Sequence, residues 1–205
     1  MKKRYLSLGE AWIDALYYVM TSENRVCIED YVEVLNLQVS FIHNQLDQIL
    51  EQAAGLKADI IEMRKVFFST EDNIFGHSYY QTGNGPYGNN GTTDIVNLLK
   101  ENRNSKRAAL SYSPYARGKV PCINLIHFLI REQGLVVNYF SRGQDMFRKF
   151  PCDAVCIAEM AQAVALQLSV PLHAITANIS SAHVYEHDFD KAKGMIERYS
   201  TIWSK

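Results

Sequence analysis

Two apolar runs, INLIHFLI and LVVNYF, follow each other closely within residues 120–153. Continuous apolar runs of this length are typical of strands that are buried in a sheet. No helical segment separates the two runs, so we expect adjacent, antiparallel strands. The fold must therefore place a sheet around this pair.

Three further segments have the composition of strands, and helical segments lie between them. The strand-like segments are YVEVLNLQVSFI, RAALSY and LHAITANISSAHVY. The helical segments span residues 6–20, 58–68, 95–103 and 154–168, with a polar amphipathic helix from Phe189 onward. Residues 78–93, rich in Gly, Asn, Tyr and Thr, are predicted to form a loop. This pattern predicts an α/β (α+β) fold, a single layered domain over residues 1–205 with a mixed β-sheet flanked by helices.

Two of the predicted helices begin with residue types that cap helices. Ser7, followed three residues later by Glu10, matches a capping box. Asp94 stands directly before IVNLLKENR and is predicted to be the N-cap of that helix.

Charge and hydropathy exclude two classes of function. The chain has 205 residues with 21 basic and 22 acidic side chains, so its formal net charge is -1. There is no basic excess to bind a long nucleic acid. No apolar run approaches the roughly 20 residues of a membrane span, and Glu10 and Asp14 interrupt what would be the apolar part of a signal peptide. We therefore expect a cytosolic protein that does not bind membranes.

Cysteine usage gives one candidate nucleophile among four cysteines. Cys122 follows a proline at the mouth of a predicted strand, which suits a nucleophile, although a small hydrophobic role is equally compatible with that position. Cys152 and Cys156 share a helix face, but no further Cys or His completes a zinc site, so we predict no metal. These two and Cys27 are interpreted as reduced and structural.

A polar cluster follows the second apolar run. It contains Ser141, Arg142, Gln144 and Asp145, with Asp153 after the next proline. A guanidinium, carboxylates and a thiol at the ends of neighbouring strands can surround a small anionic molecule.

Several segments, in order along the chain, resemble motifs of the thymidylate synthase family. PCINLIHFLIR resembles its catalytic-cysteine strand, SRGQD its phosphate-binding Arg-Ser-x-Asp element, FPCD its pyrimidine-reading Pro-Phe-Asn element, and SAHVY its Asp-x-His-x-Tyr sugar element. NGPYGNNG and SKRAALSYSP resemble two further segments upstream. The resemblance extends from about residue 85 to 185.

Three departures from the synthase motifs resemble the phage deoxycytidylate hydroxymethylase branch of the family. Ile123 stands where the synthases have His after the cysteine, Asp153 replaces the base-reading Asn, and Ser181 replaces the Asp of the sugar element. The resemblance thus implies a hydroxymethylase that uses 5,10-methylenetetrahydrofolate and a cytidylate, dCMP or CMP.

The resemblance also assigns catalytic residues. Cys122 would add to carbon 6 of the pyrimidine, and Glu62 is the candidate general acid/base, with Glu33 as the runner-up. Asp145 would contact the folate.

The remaining assignments concern the nucleotide. Arg142 would bind the phosphate, together with Lys106 and Arg107 from the partner subunit of a homodimer. His183 and Tyr185 would contact the sugar. Without the resemblance, Lys106 and Arg107 would be interpreted as part of a solvated basic run. His183 and Tyr185 would then be interpreted as core or interface residues.

Asp153 is the residue that we expect to determine which pyrimidine base binds. Cytosine offers an N3 acceptor and a 4-amino donor, and a protonated carboxyl matches both, whereas uracil offers an N3-H donor and an O4 acceptor. The alternative is that Asp153 only caps a helix beginning at Ala154.

Two alternative functions stay open at this level. One is a pyrimidine C5-methylase, either a divergent thymidylate synthase or a cytidylate methylase. The other is a catalytically silent nucleotide-binding homologue, because Lys149 stands where the family has a glycine beside the folate and the usual N-terminal phosphate loop is missing.

Overall fold

A mixed β-sheet is the frame on which the other elements lie. The computed structural model describes residues 4–42, 48–53, 55–89, 91–112 and 120–200. The strands within these residues are β1 (Arg4–Tyr5), β2 (Val26–Ile28), β3 (Tyr31–Phe41), β4 (Gly83–Asn84), β5 (Ala109–Tyr112), β6 (Ile123–Arg131), β7 (Gly134–Ser141), β8 (Gln144–Asp145) and β9 (Leu172–Tyr185). The helices are α1 (Leu8–Thr21), α2 (Gln48–Gln52), α3 (Leu56–Phe68), α4 (Tyr79–Thr82), α5 (Thr93–Glu101), α6 (Phe150–Gln167) and α7 (Phe189–Ser200).

The strand order is β1-β3-β9-β7-β6-β5-β4, with β2 pairing on β3 and β8 on β9. β6 and β7 are antiparallel, as the two apolar runs predict, while β7 and β9 are parallel. The predicted mixed sheet is therefore confirmed. Short β8 pairs with β9 beside His183, which brings the polar cluster after β7 to the end of β9.

The β6–β7 hairpin depends on a glycine. Gly134 has φ +126°, and a Cβ placed there would lie 2.2 Å from the carbonyl oxygen of Pro171. The next residue, Leu135, donates its N–H to that same carbonyl over 2.8 Å. The close backbone approach that joins the hairpin to the start of β9 thus requires glycine.

The core lies between the sheet and the helices. Along β6 and β7 the buried residues, such as Phe128 and Tyr139, alternate with more exposed ones. α6 is buried on nearly all sides because it packs on β7 and β9 and is covered by α1 and α3. Trp12 of α1 donates its indole N–H to the carbonyl of Met146 over 2.7 Å, which ties α1 to the segment that precedes α6.

The opposite side of β6 and β7 exposes large apolar side chains. Leu125 and Phe140 are directly paired in the sheet and are 38% and 41% exposed. Leu35, on β3, is 57% exposed. An apolar sheet surface of this kind is typical of a face that another protein surface covers.

Of the two predicted N-caps, Ser7 caps its helix and Asp94 does not. Ser7 accepts a hydrogen bond from the N–H of Glu10 over 3.1 Å, so the predicted N-cap of α1 is confirmed. The prediction that Asp94 is an N-cap is wrong. Asp94 lies inside the first turn of α5, and its carboxylate accepts hydrogen bonds from the backbone N–H groups of Tyr87 and Asn89. The carboxylate therefore closes the preceding Gly-rich loop rather than the helix end.

Other boundaries differ because local signals are weak in short elements. The segment predicted as loop, residues 78–93, contains α4 and β4, and α6 begins at Phe150 rather than at residue 154. β1, β2 and α2 have two to five residues each, too few to show a period in the sequence. Among the described residues, none of the helices is both long and apolar enough to cross a membrane.

Candidate active site

Backbone hydrogen bonds fix Cys122 at the start of β6. The N–H of Ile123 donates to the Tyr79 hydroxyl over 3.1 Å. The carbonyl of Cys122 accepts from the N–H of Arg142 over 2.9 Å and from the Ser141 hydroxyl over 3.1 Å. Cys122 itself is exposed and unpaired. The ends of β6 and β7 thus present the thiol on a rigid backbone.

The guanidinium of Arg142 lies beside this thiol. It donates from Nε to the carbonyl of Pro121 over 3.1 Å and from Nη2 to that of Val120 over 2.8 Å. Partial burial raises the pKa of Cys122, and Arg142 is the strongest influence that lowers it. Arg142 is therefore placed both to hold the Cys122 segment and to favour its thiolate.

Cys122 opens into a cavity of about 330 Å³. Six predicted site residues line it: Cys122, Arg142, Asp145, Asp153, His183 and Tyr185. Gln144 of the predicted polar cluster and Lys149, predicted to lie beside the folate, also line it. Four residues that the sequence analysis did not single out complete the lining: Met63, His77, Tyr79 and Gly143. The cavity thus combines a thiol, cations, carboxyl groups and aromatic rings, as expected of a site for a small polar ligand.

Asp153 lies in the wall of this cavity and is only 4% exposed. It is the fourth residue of α6, and its backbone N–H already bonds the carbonyl of Lys149, so the helix-cap interpretation is wrong. Its Oδ2 accepts a hydrogen bond from Nε2 of Gln144 over 2.8 Å. Burial raises the pKa of Asp153 to about 7, against the opposing effects of Gln144 and Lys149. Near neutral pH this carboxyl is thus available in its protonated form.

Asp145 closes the turn between β8 and α6. Its Oδ1 accepts hydrogen bonds from the N–H groups of Phe147 and Arg148 over 3.0 and 3.1 Å. No hydrogen bond to Oδ2 is formed among the described residues. Burial raises the pKa of Asp145, and the two backbone bonds oppose this shift.

Aromatic rings also lie at the cavity, where His183 and Tyr185 are part of its lining. His183 and Tyr185 alternate on β9, with ring centroids 5.2 Å apart, and the ring of Tyr31 lies 5.6 Å from His183. Beside them, the hydroxyl of Ser181 donates to the carboxylate of Glu33.

The family model described as thymidylate synthase matches residues 44–204, more than half of the chain. The chain belongs to the thymidylate synthase family. Members of this family are one-carbon transferases that use methylenetetrahydrofolate as the donor, and this chain is such an enzyme.

Relatives and a solved structure agree with the family assignment. A protein of Methanocaldococcus jannaschii named "Putative thymidylate synthase" is 26% identical over 175 residues, covering 78% of this chain and 79% of that protein. A protein of the same name from Methanosarcina mazei is 26% identical over 207 residues, and the alignment covers 95% of this chain and 94% of that protein. The thermostable thymidylate synthase A of Bacillus subtilis superposes with a TM-score of 0.70 at 13% identity, covering 95% of this chain and 84% of that chain, and so shares the fold.

Glu62 does not line the cavity of this family member. Its carboxylate accepts from the ammonium of Lys65 over 2.7 Å and from the N–H of Ile74 over 3.3 Å, and Lys65 lowers its pKa. The next residue of α3, Met63, lines the cavity instead. The structure does not bring Glu62 or Glu33 into the cavity with Cys122, so a general acid/base role for either stays a prediction.

Lys106 and Arg107 also lie outside the cavity lining. Both are exposed and immediately precede β5, and the carbonyl of Lys106 bonds the ring Nε2 of His127. Their predicted role requires the cavity of a second copy of the chain.

Lys149 extends along the cavity wall, where its ammonium lies 3.0 Å from the centroid of the Phe75 ring. Burial lowers its pKa. Like His77 and Tyr79, Phe75 lies in a segment whose sequence signals are those of loops and short turns. Only its unusual content of aromatic residues could have marked it as part of a site.

A larger depression, of about 530 Å³, lies between α3 and α6. None of the predicted site residues lines it, and its charged wall is formed by the Arg64–Glu159 ion pair. The predicted site residues that share a cavity line the smaller one. Among the described residues, no cluster of three His, Cys, Asp or Glu side chains is placed to hold a metal ion.

Proposed function

We propose that this enzyme transfers a one-carbon unit from methylenetetrahydrofolate to carbon 5 of a cytidylate, dCMP or CMP, and releases the 5-hydroxymethyl product. The observation that carries the proposal is the buried Asp153 carboxyl, which shares a cavity with the Cys122 thiol and has no role as a helix cap.

The protonation of Asp153 supports the choice of cytosine. A carboxyl with a pKa of about 7 is substantially protonated at neutral pH, so it donates to N3 from one oxygen and accepts from the 4-amino group at the other. An ionised carboxylate offers acceptors only and leaves N3 of cytosine unpaired. Leaving such buried groups unpaired costs roughly 1–3 kcal/mol each.

Cys122 supplies the nucleophile. Its thiolate forms a C–S bond at carbon 6, and the electron pair of the 5,6 double bond makes carbon 5 nucleophilic. Carbon 5 then bonds the one-carbon unit and loses its proton, and tetrahydrofolate leaves as the bond from that carbon to the folate nitrogen breaks. Water adds to the resulting exocyclic methylene as the C–S bond breaks, which gives the hydroxymethyl group and returns the thiol. When bound, the folate supplies carbon at the oxidation level of formaldehyde.

The lining also supports nucleotide and folate binding. Arg142 provides the cation for a phosphate, and His183 and Tyr185 lie on the same cavity wall for the sugar. Oδ2 of Asp145, to which no described residue donates a hydrogen bond, fits a folate N–H donor. The side chain of Lys149 already packs on Phe75, which is compatible with space for the folate beside it.

A homodimer would complete the phosphate site. The exposed apolar pair Leu125 and Phe140 gives the sheet a face suited to a second copy. Lys106 and Arg107 are exposed and free of the cavity of their own chain. In the dimer they would reach the phosphate held by Arg142 of the partner chain.

The hydroxymethylase assignment rests on Ile123, Asp153 and Ser181, which resemble the phage deoxycytidylate hydroxymethylase branch. The second candidate is a C5-methylase, because the archaeal relatives are named as thymidylate synthases. A methylase that follows the synthase route produces dihydrofolate, whereas a hydroxymethylase leaves tetrahydrofolate.

Release of tritium from carbon 5 tests the proposal. The protein is incubated with methylenetetrahydrofolate and dCMP or CMP labelled at carbon 5, and tritium in water is counted. We expect release by the wild type and by Cys27→Ser, and none by Cys122→Ser. A folded wild-type protein that releases no tritium from either cytidylate would refute the proposal.

A further inference from the structure

Gln144 forms part of the cavity wall beside Asp153, and it is only 1% exposed. Its Nε2 donates to Asp153 Oδ2 over 2.8 Å. Its carbonyl oxygen Oε1 is fully buried and accepts no hydrogen bond among the described residues. A buried acceptor without a donor is costly, so the ligand-bound state gains if the Gln144 side chain shifts and turns Oε1 toward a donor in the cavity that this residue lines.

The hydrogen bond from Gln144 Nε2 to Asp153 determines which end of the Gln144 amide is available to a ligand. A free glutamine amide can rotate and present either N–H or C=O. Because Nε2 is engaged by the carboxyl, the group left for a ligand is the acceptor, Oε1. The pair therefore presents two neighbouring acceptors, one from the carboxyl and one from the amide.

A cytosine amino group has two hydrogens, and in the proposed complex Asp153 accepts a hydrogen bond from one of them. We propose that Oε1 of Gln144 accepts the second hydrogen of this 4-amino group, so that Gln144 and Asp153 together select an amino-pyrimidine over an oxo-pyrimidine. Uracil has an oxygen at that position, and its O4 would face two acceptors. This inference rests on the proposed function and identifies a further specificity residue for it.

Calorimetric binding of dCMP and dUMP, repeated with CMP and UMP, tests Gln144 without requiring turnover. Gln144→Met keeps the length of the side chain but removes both polar atoms. We expect it to lose at least tenfold in cytidylate affinity and to bind uridylate as tightly as the wild type does or more tightly, because O4 then faces one acceptor fewer. Gln167→Met, the same change at an exposed position at the end of α6, is the matched control and should keep the wild-type ratio.

A modified ligand tests the same contact in the unmodified protein. N4-methyl-dCMP retains one N–H for Asp153 and replaces the other with a methyl group. We expect wild-type protein to bind it at least tenfold more weakly than dCMP, and Gln144→Met to show a smaller difference between the two ligands.

The outcomes separate this inference from the proposed function. If the wild type prefers cytidylate but binds N4-methyl-dCMP as tightly as dCMP, or if Gln144→Met keeps the cytidylate preference, the role of Gln144 is refuted and the proposed function stands. If the wild type does not prefer cytidylate to uridylate, the cytosine assignment fails and the role of Gln144 fails with it.

Discussion

Replacing Asp153 with Asn should change how the stability of the protein depends on pH. The native carboxyl has its pKa raised from 3.8 to about 7 by burial, so it holds its proton more tightly than the unfolded chain does. Folding stability therefore falls as pH rises from about 4 to about 7 and levels off above. A shift of about three units is worth up to about 4 kcal/mol, of which about 2–3 kcal/mol accrues between pH 5 and pH 8.

Asparagine cannot ionise, and its side-chain oxygen can still accept from Gln144. Urea unfolding at pH 5 and pH 8 should therefore show Asp153→Asn gaining about 2–3 kcal/mol in stability relative to the wild type as the pH rises across this interval. In thermal unfolding, this corresponds to roughly 5–10 °C for a chain of this size.

Asp188→Asn is the matched control, because Asp188 is also buried but pairs with Arg148, which lowers its pKa. Its native carboxyl stays ionised from pH 5 to pH 8, so we expect a loss of stability that is nearly the same at both values. If Asp153→Asn instead shows the wild-type pH dependence, Asp153 is ionised in the folded protein, and the proposed reading of N3 is refuted.

Three further outcomes are expected. Arg142→Gln removes the cation that most lowers the pKa of Cys122, so this pKa should rise. Alkylation of Cys122 by iodoacetamide at pH 8 should then slow, by up to about tenfold for each unit of pKa. An unchanged alkylation rate would contradict the role of Arg142 at the thiol. Gly134→Ala should lower the free energy of unfolding in urea by about 3 kcal/mol or more, because the new Cβ meets a backbone carbonyl. Gly194→Ala in α7, with open space around it, should instead raise the free energy of unfolding by about 0.5–1 kcal/mol. Similar effects at both sites would count against the hairpin geometry. In activity assays, Asp153→Asn should lower cytidylate turnover at least tenfold, about 1.4 kcal/mol, and raise activity on uridylate; an unchanged preference would remove Asp153 from base recognition.

The long elements could be predicted from sequence because their patterns repeat many times. The predicted segments match β9 and β3 closely, and the apolar runs of β6 and β7 predict both strands and their antiparallel pairing. Short elements such as β8 have no period, yet β8 is what brings Asp145 beside His183. Their formation depends on pairing with distant residues, which local sequence does not encode.

Helix starts show why parts of the site were harder to predict. Asp94 and Asp153 both have the residue type and position of an N-cap, but each lies inside the first turn, where its carboxyl serves a tertiary contact. For Glu62 and Met63, which are adjacent, only the rotation of α3 against α6 determines which of the two side chains reaches the cavity. A shift of one residue turns a helix by about 100°, and the apolar pattern of α3 does not define its orientation to that accuracy.

The mass of the nucleotide product tests the central claim most directly. Equal amounts of dCMP, CMP and dUMP are incubated with the protein and methylenetetrahydrofolate, and the nucleotides are analysed by mass spectrometry. The proposed reading of cytosine by Asp153 and the addition of water after transfer predict a cytidylate that has gained CH₂O, with dUMP unchanged. Conversion of dUMP to a product that has gained CH₂, with both cytidylates unchanged, would contradict the account and identify a thymidylate synthase.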